Sequence, residues 1–186
     1  MMKQTTFFEP DSGKLDSLLE WYKEIVGDDR MTVIIGAQKL DDTLVAMLSK
    51  AMGIDRTDDL FDFTGPLGTF SSRIMFAKKL GYITDEFASL LTIIRRLRND
   101  VAHSPKQLDL NEPPSADRIL ALRRLVEKSP LWDGFNDRLG PSSSHNLLVR
   151  TFVIATMNLS VTAHETSRLQ PEFVCSMDLL HLPSKP

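Results

Sequence analysis

The run Arg95-Arg96-Leu97-Arg98-Asn99-Asp100-Val101-Ala102-His103 concentrates groups that can do chemistry. His103 carries an imidazole, which titrates near neutrality and can take or give a proton. Arg98 carries a planar guanidinium that can grip a phosphate through two hydrogen bonds. Asn99 adds a polar amide directly after it. Such a set can support cleavage of RNA by its own 2′-hydroxyl. The hydroxyl oxygen attacks the neighbouring phosphorus, His103 handles the proton and Arg98 stabilises charge on the phosphoryl oxygens. That chemistry calls for no metal and no cofactor. The same residue types also suit a helix end, where Arg and His offset the dipole and cap carbonyls. On that account Arg98, Asp100 and His103 tie the helix terminus to a neighbouring element. The catalytic candidates are therefore Arg98, Asn99 and His103, with Arg73, Arg95, Arg96 and Asp100 as candidate binding residues.

The element that must position these groups is legible from its spacing. Phe87, Leu90, Leu91, Ile94, Leu97 and Val101 form one apolar stripe at helical period, with Thr84 as a plausible N-cap. Ser104-Pro105 should end the helix, because the residue before proline avoids helical geometry. Arg95, Asn99 and His103 are spaced four apart and so share a face, with Arg98 one residue off it. Asp100 lies four after Arg96, which makes an ion pair between them plausible.

The segment Gly65-Pro66-Leu67-Gly68-Thr69-Phe70-Ser71-Ser72-Arg73 also invites two accounts. A glycine-bearing loop feeding a helix can hold an anion at the helix N-terminus. It lacks the Gly-Lys-Ser/Thr ending of a phosphate-binding P-loop. A tight structural turn that places Arg73 near the Arg98 helix is the favoured account. The two phenylalanines before it, Phe61 and Phe63, are expected to tuck under the loop.

Elsewhere the pattern is helical throughout. Helices are expected over about 12–26 and 29–52, with the acidic pair Asp28 and Asp29 able to cap the second. In the second, Gln38, Asp41 and Asp42 are expected to face away from the apolar stripe. Further helices are expected over about 69–80, capped by Gly81, from Ser115 as a cap through Glu127, and over about 145–169. Residues 129–144 read as an irregular excursion pinned by Leu131, Trp132 and Phe135. No segment alternates with period two over any length. The fold class is therefore all-α, an irregular bundle of five to seven helices. One helical domain over 1–169 and an extended or disordered tail over 170–186 are expected.

Composition bounds the rest. The 186 residues are 42% hydrophobic and 25% charged, the balance of an ordinary globular chain. The lone Cys175 excludes an intrachain disulfide and a multi-thiolate zinc site, and it fits a reducing, cytoplasmic setting. His145, His164 and His181 share no metal-ligand spacing. Apolar stretches are interrupted by charge before the ~20 residues a membrane span needs, so no membrane partner is expected. A net charge of −3 gives no long-range pull on nucleic acid, although a local basic surface can still hold it. Arg73, Lys78, Lys79, Arg95 and Arg96 are the cations nearest the focal helix that could do so.

Arg98 with Asn99 directly after it, followed by four residues and His103, resembles the signature of HEPN domains. These are small helical bundles, often dimeric, some of them metal-independent ribonucleases and others binding modules. Gly65 to Arg73, then Leu80-Gly81-Tyr82-Ile83, then Arg98 to His103 together resemble the mannitol operon repressor family in order and spacing. That resemblance covers about residues 30–105 and does not extend beyond about Ser115. It implies a regulatory protein, a homodimer, that acts in transcriptional regulation as a repressor through contacts with a partner protein. No helix-turn-helix with a basic recognition helix is evident in this chain. The HEPN resemblance implies the alternative, a toxin or defence ribonuclease acting on RNA through Arg98 and His103.

Overall fold

The computed structural model describes residues 16–18, 20, 22, 28–103, 108–135, 139 and 143–169. Among them the fold is all-α, an irregular helical bundle with no strand. Five α-helices have described bounds: α1 (Asp29–Met52), α2 (Phe70–Lys79), α3 (Asp85–His103), α4 (Ser115–Val126) and α5 (Ser144–Glu165). Short 3-10 turns occupy Asp59–Phe61 and Asp133–Phe135. The described residues of the first expected helix, 16–18, 20 and 22, are helical. The expected tail over 170–186 lies outside the described residues.

Local chemistry sets most boundaries. The Asp28 carboxylate accepts the Met31 N–H at 2.7 Å and so starts α1. Gly53 ends it at φ 68°, a left-handed turn that only glycine enters cheaply, and Gly81 at φ 76° follows α2 in the same way. Thr69 and Ser72 form a reciprocal capping box at the start of α2. Thr84 caps α3 through the Phe87 N–H. The expectation for α4 fails in detail: Ser115 is its first helical residue, buried, and Pro114 stands at the cap with no side-chain bond. Ser143 caps α5, which ends at Glu165, four residues short of the expected Leu169.

α1 packs on α5 over the most extensive helix interface, α3 closes against α1, α4 bridges α3 and α5, and α2 sits on the seam between α1 and α3. The α1 and α5 N-termini are tied by His145 Nδ1 and Asp29 Oδ1 at 2.6 Å. α5 is the axis of the core, since every residue from Leu147 to Met157 is buried. That accounts for its strand-like, β-branched composition: a helix surrounded on all sides has no polar face to alternate with. Arg150 interrupts the apolar run of α5, as expected from the sequence. α5 is long and apolar enough to cross a bilayer by length and composition, with a mean hydropathy of 1.3 over its most apolar window. In this fold 67% of that window is buried against protein. Its single strong charge before Glu165, Arg150, lies with its guanidinium 5.0 Å from the Trp132 ring and reaches the Phe135 carbonyl at 3.5 Å. Together with fully buried Phe135, this fastens the excursion after α4, as the aromatic pattern there predicts.

The α1–α5 approach depends on Gly36. A Cβ there would come within 2.6 Å of three atoms of the Phe152 ring. The ring cannot retreat, because it is fully buried and stacked on Tyr22 with centroids 6.0 Å apart. Gly36→Ala should therefore destabilise the protein by about 1–2 kcal/mol, the overpacking cost outweighing the helix-propensity gain. In urea the midpoint should fall at unchanged slope, and adding Phe152→Leu should restore part of the loss.

Candidate functional site

α3 presents its residues as its period dictates. Ala88, Leu90, Leu91, Ile94, Leu97 and Val101 are buried. Arg95, Arg98 and Asn99 line a cleft of about 430 Å³ where α1, α2 and α3 meet. Gln38 and Asp41 contribute from α1, Arg73 from α2, and Phe63 and Gly68 from the loop between. Arg98 Nη1 donates to Asn99 Oδ1 at 3.2 Å.

Arg73 holds this corner together. Its Nη1 donates to both oxygens of Asp41 at 2.7 Å. Its Nε donates to the Leu67 carbonyl at 2.7 Å and its Nη2 to the Phe61 carbonyl at 3.3 Å. One guanidinium thus binds α1 and both limbs of the loop to α2. The loop is tight enough to need its glycines. A Cβ on Gly65 would collide with the Asp59 carbonyl oxygen, and one on Gly68 with that of Asp62. The structural-turn account of this segment fits, and Arg73 lies beside Arg95, Arg98 and Asn99 as expected. Asp41 does not face away as expected. It is largely buried beneath Arg73, with side chains 11% (Arg73) and 16% (Asp41) exposed. Burial pushes its carboxyl above the ordinary carboxylate value, against the opposing pull of the Arg73 hydrogen bonds and charge and the more distant charge of Arg98. The loop phenylalanines divide: Phe61 is buried, whereas Phe63 is 90% exposed at the mouth of the cleft.

His103 does not join the cleft. It ends α3, exposed, with no hydrogen bond or ion pair to a described residue. Helical geometry explains the separation. Five residues turn the chain by about 500°, leaving Arg98 and His103 roughly 140° apart around the axis and ~7.5 Å along it. Spacing by four keeps Arg95 and Asn99 on one face but drifts by ~40° per step, so His103 leaves that face. Asp100 likewise departs from expectation: its carboxylate pairs with Arg118 on α4, not with Arg96. Arg96 is exposed and unpaired among the described residues. Lys78 is engaged by Asp85 at 3.0 Å, which leaves it less free for a ligand than the sequence suggests.

No family model matches the chain, and no curated protein or solved structure matches it. Among the described residues no three His, Cys, Asp or Glu gather as a metal site. What the corner offers is a cationic cleft, with an exposed imidazole one and a half turns beyond it. Asp41, Gln38 and Phe63 are the cleft residues that the sequence did not single out as functional. The only signal for Asp41 is a carboxylate one turn beyond apolar Ala37 and directly after Leu40, on the border of an apolar stripe.

Arg73→Ala strands the Asp41 carboxylate and two loop carbonyls, and should cost about 2–3 kcal/mol in chemical denaturation. Asp41 adds a pH signature. An acid with a raised folded-state value binds its proton more tightly when folded, so its ionised form is unfavourable to stability and protonation relieves that cost. The stability of the wild type relative to Asp41→Asn should rise as pH falls from neutral through the folded Asp41 value. A flat or falling difference would contradict the burial argument.

Proposed function

We propose that this is a regulatory protein of the mannitol operon repressor type, acting in transcriptional regulation through protein–protein contacts and without a DNA-binding motif of its own. The observation that carries this reading is the C-terminal half of α3. Arg96, Arg98 and His103 stand exposed there without ion-pair partners among the described residues, on a chain whose net charge is −3. A small cationic surface on an acidic protein suits an acidic partner protein, for which charge complementarity sets specificity and encounter rate. It is too restricted to hold a duplex by phosphate contacts, which takes several cations along one face. A homodimer and a cytoplasmic setting belong to the same reading.

The test is regulation in the native host. Removing the gene should change transcript levels of a defined operon, and the wild-type chain should restore them. Arg98→Glu combined with Arg96→Glu should fail to restore them while melting at the wild-type temperature. Full restoration by that variant would sink the reading.

The free imidazole of His103 favours a second reading, a metal-independent endoribonuclease. Arg98 and His103 diverge on one helix, and in this reading a second copy of the chain faces the first, so that Arg98 of one and His103 of the other meet at one phosphate. Purified protein incubated with a mixed RNA pool in EDTA decides it. Cleavage leaving cyclic phosphate ends, and falling at least ~100-fold in a folded His103→Ala variant, would establish the nuclease. No cleavage over a wide range of protein and RNA would remove it.

A further inference from the structure

The cleft between α1, α2 and α3 carries a charge opposite to that of the molecule around it. Three arginines line it against a single carboxylate, Asp41, while the chain as a whole is at −3. Arg73 and Asp41 satisfy one another, so Arg95 and Arg98 are the surplus. Among the described residues Arg98 bonds to the neutral Asn99 amide alone, and neither Arg95 nor Arg98 has an ion-pair partner. An anion seated in the cleft would face both guanidiniums at once. The N-terminal end of α2, through Gly68 to Ser71, adds its partial positive charge to the same wall.

The rim supplies the other half of a recognition site. Phe63 is 90% exposed, with half-buried Phe70 beside it on the cleft lining. A lone exposed aromatic is ordinary. One carried by a tight, glycine-dependent loop at the mouth of a cationic cleft offers a face for a flat ring. The volume, about 430 Å³, falls within the range of small-molecule pockets.

We propose that this cleft binds a small aromatic anion, a phosphate or carboxylate attached to a flat ring, with the anion on Arg95 and Arg98 and the ring against Phe63. The site excludes His103 and does not depend on either account of the protein's function.

The probes are phenyl phosphate and benzoate, titrated into the full chain by calorimetry and followed by thermal shift, with inorganic phosphate and cyclohexyl phosphate for comparison. The expected result is one saturable site per chain for one or both aryl anions, tighter than for either comparison compound. Phe63→Ala should weaken it about three- to tenfold and Arg98→Ala about tenfold or more. Both side chains are exposed, so neither change should threaten folding; Arg95→Ala is the harsher third variant. Arg124→Ala, an exposed arginine outside the cleft, should bind as wild type. The proposal is overturned if neither aryl anion saturates, if Phe63→Ala or Arg98→Ala binds as wild type, or if inorganic phosphate binds as tightly as phenyl phosphate. Binding by a short RNA alone, with none by the aryl anions, would also overturn it.

Discussion

A single guanidinium, that of Arg73, joins α1, the loop after it and α2 at the candidate site. It spends its donors on both oxygens of Asp41 and on two carbonyls of the loop before α2. The geometry matters more than the charge, because a planar fork can serve a carboxylate on one edge and backbone oxygens on another, as a lysine ammonium cannot. Since α2 lies across the seam between α1 and α3, the same bond network sets how wide that seam stands open. The cleft is therefore a by-product of the loop lock. Its cationic surplus exists because Asp41 is already taken.

This arrangement divides the arginines by role in a way that residue type alone cannot. Arg73 is consumed by structure, Arg118 by an exposed pair with Asp100, and Arg150 by the core around Trp132. Arg95, Arg96 and Arg98 are left over on α3. Among the described residues α3 thus carries three arginines without an ion-pair partner, near an aromatic rim and with the exposed His103 at its end. Recognition of something negatively charged is what these leftovers have in common.

Much of the fold was legible because it is written locally. The α3 stripe, the Asp28 and Thr84 caps and the left-handed turn at Gly81 depend on residues within one or two turns of each other. The misses are long-range. Asp41 meets Arg73 across 32 positions in the chain, and nothing in its own neighbourhood announces that pairing. Asp100 chose Arg118 on another helix over Arg96 on its own, since an exposed pair within one helix is worth only tenths of a kcal/mol and yields to a better-placed partner. Phe61 and Phe63 are two apart in a loop and point to opposite fates, which composition cannot resolve. α5 was legible as a helix, but its lack of a polar face follows from being surrounded, which only the packed bundle shows.

The drift of α3 has a quantitative consequence. Arg98 and His103 leave one helix in directions about 140° apart, so two copies of the chain facing each other bring both groups to one phosphate more directly than one chain does. Chemistry of that kind draws the two groups from two molecules. At concentrations where copies are mostly apart, its rate would then grow with the square of the protein concentration. Halving the amount of protein would cost three quarters of the output, which makes the helix pitch itself a threshold device. Binding through the cleft, which one chain completes alone, would follow concentration in simple proportion.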